Sequence, residues 1–151
     1  MSAQRPALAY ELLREPPCVV LYKAARPTTD RDWEPYLELV RAALPYGNGL
    51  RFVAWNEDGE IPRATQARMT DMLRGYTHQV AVISSSVVMR FIVSIFLLWN
   101  RNIRFFSPSQ KEEIYVHLGC DAAAREAIAA CLERLRRQVD QPEDADAASR
   151  L

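Results

Sequence analysis

"QVAVISSSVVMRFIVSIFLLWNRNIRFFS", residues 79–107, carries the pattern that decides the fold. It opens on QVAVIS (79–84), an apolar run of strand length rich in β-branched residues. Its final serine and the two that follow make a run of three, the last placed to cap a helix predicted over 86–100. IRFFS (103–107) then reads as the next strand. Strand, helix and strand in about thirty residues make a βαβ unit, in which two parallel strands are joined by a covering helix.

The helix raises a second question, because eleven of the thirteen residues from Val87 to Trp99 are apolar. Thirteen residues make only about 20 Å of helix, whereas a bilayer core of about 30 Å needs about twenty apolar residues. Arg90 interrupts the run as well, so no membrane span is expected. A helix lying on a sheet needs a single apolar face, and Val88, Ile92, Ile95 and Trp99 fall in one narrow arc predicted to be that face. Ser86, Arg90, Ser94 and Arg101 lie opposite, yet Val87, Leu97 and Leu98 sit among them, with Phe91 at their border. Clustered apolar exposure marks a contact surface. Val87, Arg90, Phe91, Leu97 and Leu98 are therefore candidate partner-binding residues, and a homodimer about a twofold axis would bury them on both chains with Arg90 and Arg101 at the rim. The competing expectation is that the C-terminal helix covers this flank within one chain.

Working outward, ALAYELL (7–13) and CVVLYKA (18–24) read as strands joined by a turn at EPP. Thr29 or Asp30 starts a helix with Trp33, Leu37, Val40 and Leu44 at helical spacing, and PYGNG ends it. LRFVAW (50–55) is a mostly apolar strand suited to burial on both faces. The polar NEDGE loop leads to a helix with Pro62 in its first turn, an inner stripe of Thr65, Met69, Met72 and Leu73, and Gly75 past its end. SPSQKEEIYVHLG pairs Ser109 with Glu112 as a capping box and stops at Gly119. A last helix over 121–138 turns Ile128, Cys131, Leu132 and Leu135 inward. Alternating strands and helices predict an α/β fold, with a mainly parallel sheet, an N-terminal strand hairpin and helices packed on the sheet. One domain over 1–140 is expected, followed by a disordered acidic tail over 141–151.

Composition excludes several function classes. Nineteen basic and nineteen acidic residues cancel, so no overall charge draws the 151-residue chain to nucleic acid. Three cysteines, odd in number and without a C-x-x-C pair, argue against a disulfide framework or zinc site. The opening MSAQRPALAYELLREPP lacks an apolar signal run, and a cytoplasmic protein is expected. His78 and His117, the two histidines, have no ligand partner at helical spacing, and no Walker, G-x-G-x-x-G or G-x-S-x-G pattern occurs. Neither cofactor, metal nor catalysis is expected. The serines at 84–86 with Arg90 one turn on could hold an anion or simply cap the helix.

VAWNEDGEIPRATQARM, VAVISSSVVMRFIVSIFLLWN and IRFFSPSQKEEIYVHLG together resemble STAS domains, the fold of bacterial anti-sigma-factor antagonists, and in particular the bacterial STAS/SEC14-like proteins. The likeness spans roughly residues 8–119. It implies a STAS-like regulatory or scaffolding module that binds protein, or, on the SEC14 side, a binder of lipid or another apolar small molecule. Those antagonists carry a phosphorylatable serine after the third strand. Here Asn56, Glu57 and Asp58 stand there, and Thr65 is the one nearby hydroxyl and is expected to face inward. The resemblance places Asn56, Glu57, Asp58 and Thr65 among the partner-binding candidates. Glu57 and Asp58 either imitate a permanent negative charge or form a solvated turn, and neutralising both is expected to leave the fold intact.

The acidic tail offers few apolar side chains to bury. A chain ending at residue 141 should melt within a few degrees of the full length in a thermal scan, whereas a large drop would mean that the tail docks on the body.

Overall fold

The computed structural model describes residues 6–140. The expectation for 141–151 lies outside them. Five strands and five α-helices follow one another as β1 (Leu8–Arg14), β2 (Pro17–Lys23), α1 (Asp30–Ala43), β3 (Arg51–Asn56), α2 (Arg63–Leu73), β4 (Val80–Ile83), α3 (Val87–Phe96), β5 (Ile103–Phe106), α4 (Lys111–Leu118) and α5 (Ala122–Asp140). A 3-10 segment over Leu44–Gly49 links α1 to β3. The sheet runs β1-β2-β3-β4-β5. β1 pairs antiparallel with β2, and every later pair is parallel. The chain is thus α/β with a mixed sheet, mainly parallel, entered through a hairpin.

Strand order follows chain order, so each crossover advances in the same direction, and crossovers of one hand put their helices on one face. α1, α2 and α3 share that face. Val19 and Leu21 of β2 and Phe52 of β3 pack there with Trp33, Leu37 and Val40 of α1, and Val82 with Met89, Ile92 and Val93 of α3. Side chains alternate along a strand. Cys18, Val20 and Tyr22 therefore point to the other face, where Val53, Ala81, Ile83 and Phe106 join them under Ile114 and Leu118 of α4 and Ile128, Cys131 and Leu135 of α5.

Several local expectations are corrected. α3 ends at Phe96 rather than near Asn100, because residues 97–99 form a turn and the Asn100 amide donates to the His78 carbonyl at 2.9 Å. The face of α3 on the sheet is Met89, Ile92 and Val93, with Phe96 half-buried, whereas Val88, Ile95 and Trp99 are exposed. The helix is thus rotated by about one residue, roughly 100°, from the arc predicted. Ala43 rather than Leu44 closes the buried stripe of α1. Gln110 precedes α4 without a side-chain cap, so Ser109 and Glu112 form no capping box. Asp121 starts α5 instead, its carboxylate accepting from the Ala124 amide at 2.8 Å. α5 lies against β1 and β2 on the face opposite α3, so it does not cover the outer flank of that helix.

Candidate functional site

Three features of this fold draw on the candidate residues: a charged knot at the carboxyl edge of the sheet, the outer surface of α3, and a cavity beneath α2 and α3. The knot centres on Lys23, the last residue of β2, which is 0% exposed. Its ammonium donates to Asp58 at 2.8 Å, to the carbonyls of Ala24 and Arg26 at 3.0 and 2.9 Å, and lies 3.3 Å from Glu60. A buried ammonium needs this, since its three protons must all find acceptors once water is gone.

The loop residues after β3 are folded into that knot. Asn56, 2% exposed, accepts from the Gly59 amide at 2.8 Å. Glu57 accepts from the Tyr22 hydroxyl at 2.5 Å and the Trp55 indole at 2.9 Å, and with burial its carboxylate raises the tyrosine pKa. Glu60 accepts from Thr28, whose hydroxyl in turn accepts from the Trp33 indole. Thr65 is 1% exposed, and both its amide and its hydroxyl donate to Asp30. The loop is therefore no freely solvated turn, since Asp58 bonds to Lys23 and Glu57 to two aromatic residues.

Gly59 joins the loop to α3. Its φ is +75°, and a Cβ there would lie 2.9 Å from the Met89 backbone nitrogen. The loop after Asp58 thus touches the start of α3 at Gly59, whereas Glu57 faces Tyr22 and Trp55 on the side of α4 and α5. Along that helix Val87, Phe91 and Leu98 point away from the protein at 69%, 69% and 78% exposure, with Val88, Ile95, Leu97 and Trp99 also exposed. Arg90 stands on the β5 side with its guanidinium over Phe105, and Arg74 lies over Trp99. From Met72 to Gln110 the chain carries Arg74, Arg90, Arg101 and Arg104 and no Asp or Glu. A chain of zero net charge therefore concentrates cations around its most apolar helix. Ser84 accepts from the Ser86 amide at 3.0 Å, and Ser86 makes no side-chain bond to the helix, so the expected serine cap is not formed.

Sequence reasoning missed the cavity. α2 leans on α1 and α3 leans on β5, leaving a cleft of about 110 Å³ over β3 and β4. Ala54 and Val80 form part of its floor, Met69 and Leu73 one wall, Met89 and Phe96 the other. No charged side chain lines it. His78, 1% exposed, sits at the end near Asn100, stacked on Tyr76 and edge-on to Phe52. Its Nε2 lies 3.1 Å from the Gly47 carbonyl. Burial lowers its pKa, against the smaller opposing effect of that carbonyl.

The other reactive side chains are engaged. His117 Nε2 is bonded to the carbonyls of Val80 and Asn102, fastening α4 to β4 and the start of β5. Burial pushes the Cys18 and Cys131 thiols up to about 12, which holds them protonated and poorly nucleophilic. Among the described residues no group of His, Cys, Asp and Glu is arranged to hold a metal, and no helix is long and apolar enough to cross a membrane. No family model, curated protein or solved structure matches the chain.

Two predictions follow from the buried groups. Asp58→Asn with Glu60→Gln leaves Lys23 buried without a carboxylate and should lower stability by about 3 kcal/mol in urea denaturation. That is the low end for a broken buried pair, because both carboxylates also reach water. A loss under about 0.5 kcal/mol, as at an ordinary surface site, would mean that the knot is not holding the edge together.

His78 has a folded pKa below its unfolded value, so the unfolded chain binds the extra proton. Its contribution is present above the unfolded pKa of about 6.5 and is lost as pH falls through that value toward the folded one. Stability should decline between about pH 7 and 5.5, and His78→Gln should flatten that part of the curve.

Proposed function

We propose that the chain is a non-catalytic, STAS-like regulatory or scaffolding module that acts through protein–protein contact at the outer face of α3. The observation that carries the reading is the exposed stripe of Val87, Phe91, Ile95 and Leu98, which no other element of the described chain covers. Withdrawing each such side chain from water is worth roughly 1.5–3 kcal/mol, so a partner that covers the stripe gains several such increments. Gly59 packs on the start of the same helix, so the loop that carries Asn56, Glu57 and Asp58 supports the contact from behind rather than lining it. With Thr65 buried and bonded to Asp30, and no serine in that loop, the module works without the phosphorylatable serine of the antagonists it resembles.

A second copy of the chain is the partner proposed, since two stripes meeting about a twofold axis are self-complementary. The arginines would then ring the contact, where charge is tolerated but like charges repel. Salt separates this arrangement from a contact with a different, acid-rimmed protein. Screening should tighten the homodimer and loosen the other.

A second reading, binding of an apolar small molecule, is favoured by the uncharged cavity under α2 and α3. At about 110 Å³ it is smaller than the roughly 300–1,000 Å³ of a drug-sized site, so a whole lipid would have to part the two helices.

Sedimentation equilibrium at tens of micromolar should show a dimer that strengthens between about 50 and 500 mM salt. Leu98→Glu should give a folded monomer, since a side chain so exposed supports little of the fold. A monomer at both salt concentrations would overturn self-association.

A further inference from the structure

His78 is buried, yet one of its nitrogens is unused. The Gly47 carbonyl is an acceptor only, so the 3.1 Å contact fixes the ring proton on Nε2. Nδ1 of the neutral ring is then a bare acceptor, and it has no hydrogen-bond partner among the described residues. It is not sealed away either, for the one fully enclosed side-chain atom without a partner among those residues is Arg26 Nε. The ring lines the cavity, whose asparagine and threonine side chains are committed. Asn56 accepts from Gly59, Thr70 donates to the Gln66 carbonyl at 2.9 Å, and Asn100 donates to the His78 carbonyl.

We propose that this cavity binds a small, uncharged, ring-sized molecule carrying one O–H or N–H donor, and that His78 Nδ1 accepts that hydrogen. The inference rests on the ligand-binding reading above and names the ligand class and the residue that selects it. Size comes from the cavity, whose 110 Å³ is of the scale of the roughly 150 Å³ apolar cavity that holds one benzene. Neutrality comes from its walls, because an ion there would lose its water and meet no counter-charge. Adaptability comes from Met69 and Met89 on facing walls, whose unbranched thioether chains fit themselves to irregular shapes. Selectivity for a donor follows from the asymmetry of buried hydrogen bonds. A ligand without one would cover Nδ1 and leave it unsatisfied, a penalty of order tenfold in affinity.

Phenol and toluene, titrated separately into the full chain at about pH 7.5, where the ring is neutral, test this by calorimetry and by the nitrogen resonances of the His78 imidazole. Phenol should bind about tenfold tighter than toluene and shift Nδ1, whereas toluene should leave that resonance in place. Equal affinities with an unmoved Nδ1 would overturn the role of His78 while leaving the cavity as a binding site. No binding of either at millimolar concentration would overturn the ligand-binding reading itself. Ala54→Leu, which fills the floor of the cavity, should abolish phenol binding in a chain that keeps its amide spectrum. Phenol bound as tightly by that variant would place the ligand elsewhere and overturn the proposal.

Discussion

The burial of one ammonium group organises the functional edge of this protein. Lys23 ends a strand whose preceding five residues are all enclosed, so its side chain has no route to water and must be met by acceptors from the chain. Those acceptors come from the turn after β2 and from the loop after β3, which ties the two parallel strands together just beyond their last paired residues. From there the constraint spreads to the helices. Glu60 holds Thr28 and through it Trp33 of α1, Asp30 of α1 holds the first turn of α2 through Thr65, and Gly59 sets the approach of α3. Three helix starts are thus positioned by one edge. An ion pair of this kind adds little net stability compared with an apolar replacement, but removing half of it is severe, which makes it a device for fixing geometry.

That edge was only partly legible in the sequence. The strands were, because residues such as Val19, Val20 and Leu21, or Ala81, Val82 and Ile83, must be apolar on both sides to lie between helical layers. Caps and stops such as Thr29 and Gly119 were legible too, since they answer local backbone needs. Lys23 was not, for its acceptors at Asp58 and Glu60 lie more than thirty residues away and nothing local announces them. The acidic residues of the loop consequently read as solvated. The facing of α3 was not legible either. A helix apolar almost all round has no unique inner arc, and it is Met89, Ile92 and Val93 that turn to the sheet. The cavity is a gap between helices rather than a pattern of residues, so periodicity gives no sign of it.

The two surfaces of α3 bring these threads together. Met89 and Phe96 line the cavity, while Phe91 and Ile95 belong to the exposed stripe, one step along the same turns. The helix packs chiefly on β5, an edge strand, and its link to α2 is interrupted by the cleft. A molecule occupying the cleft would supply contacts on the inner side and restrict how far the helix can move toward α2. A partner on the outer side would bias the same movement from without. Two ligands that prefer one position of a shared element are coupled, and by linkage each strengthens the other to the same extent. α3 is therefore the element that borders both the interior cleft and the exposed stripe, with its first turn packed closely on Gly59.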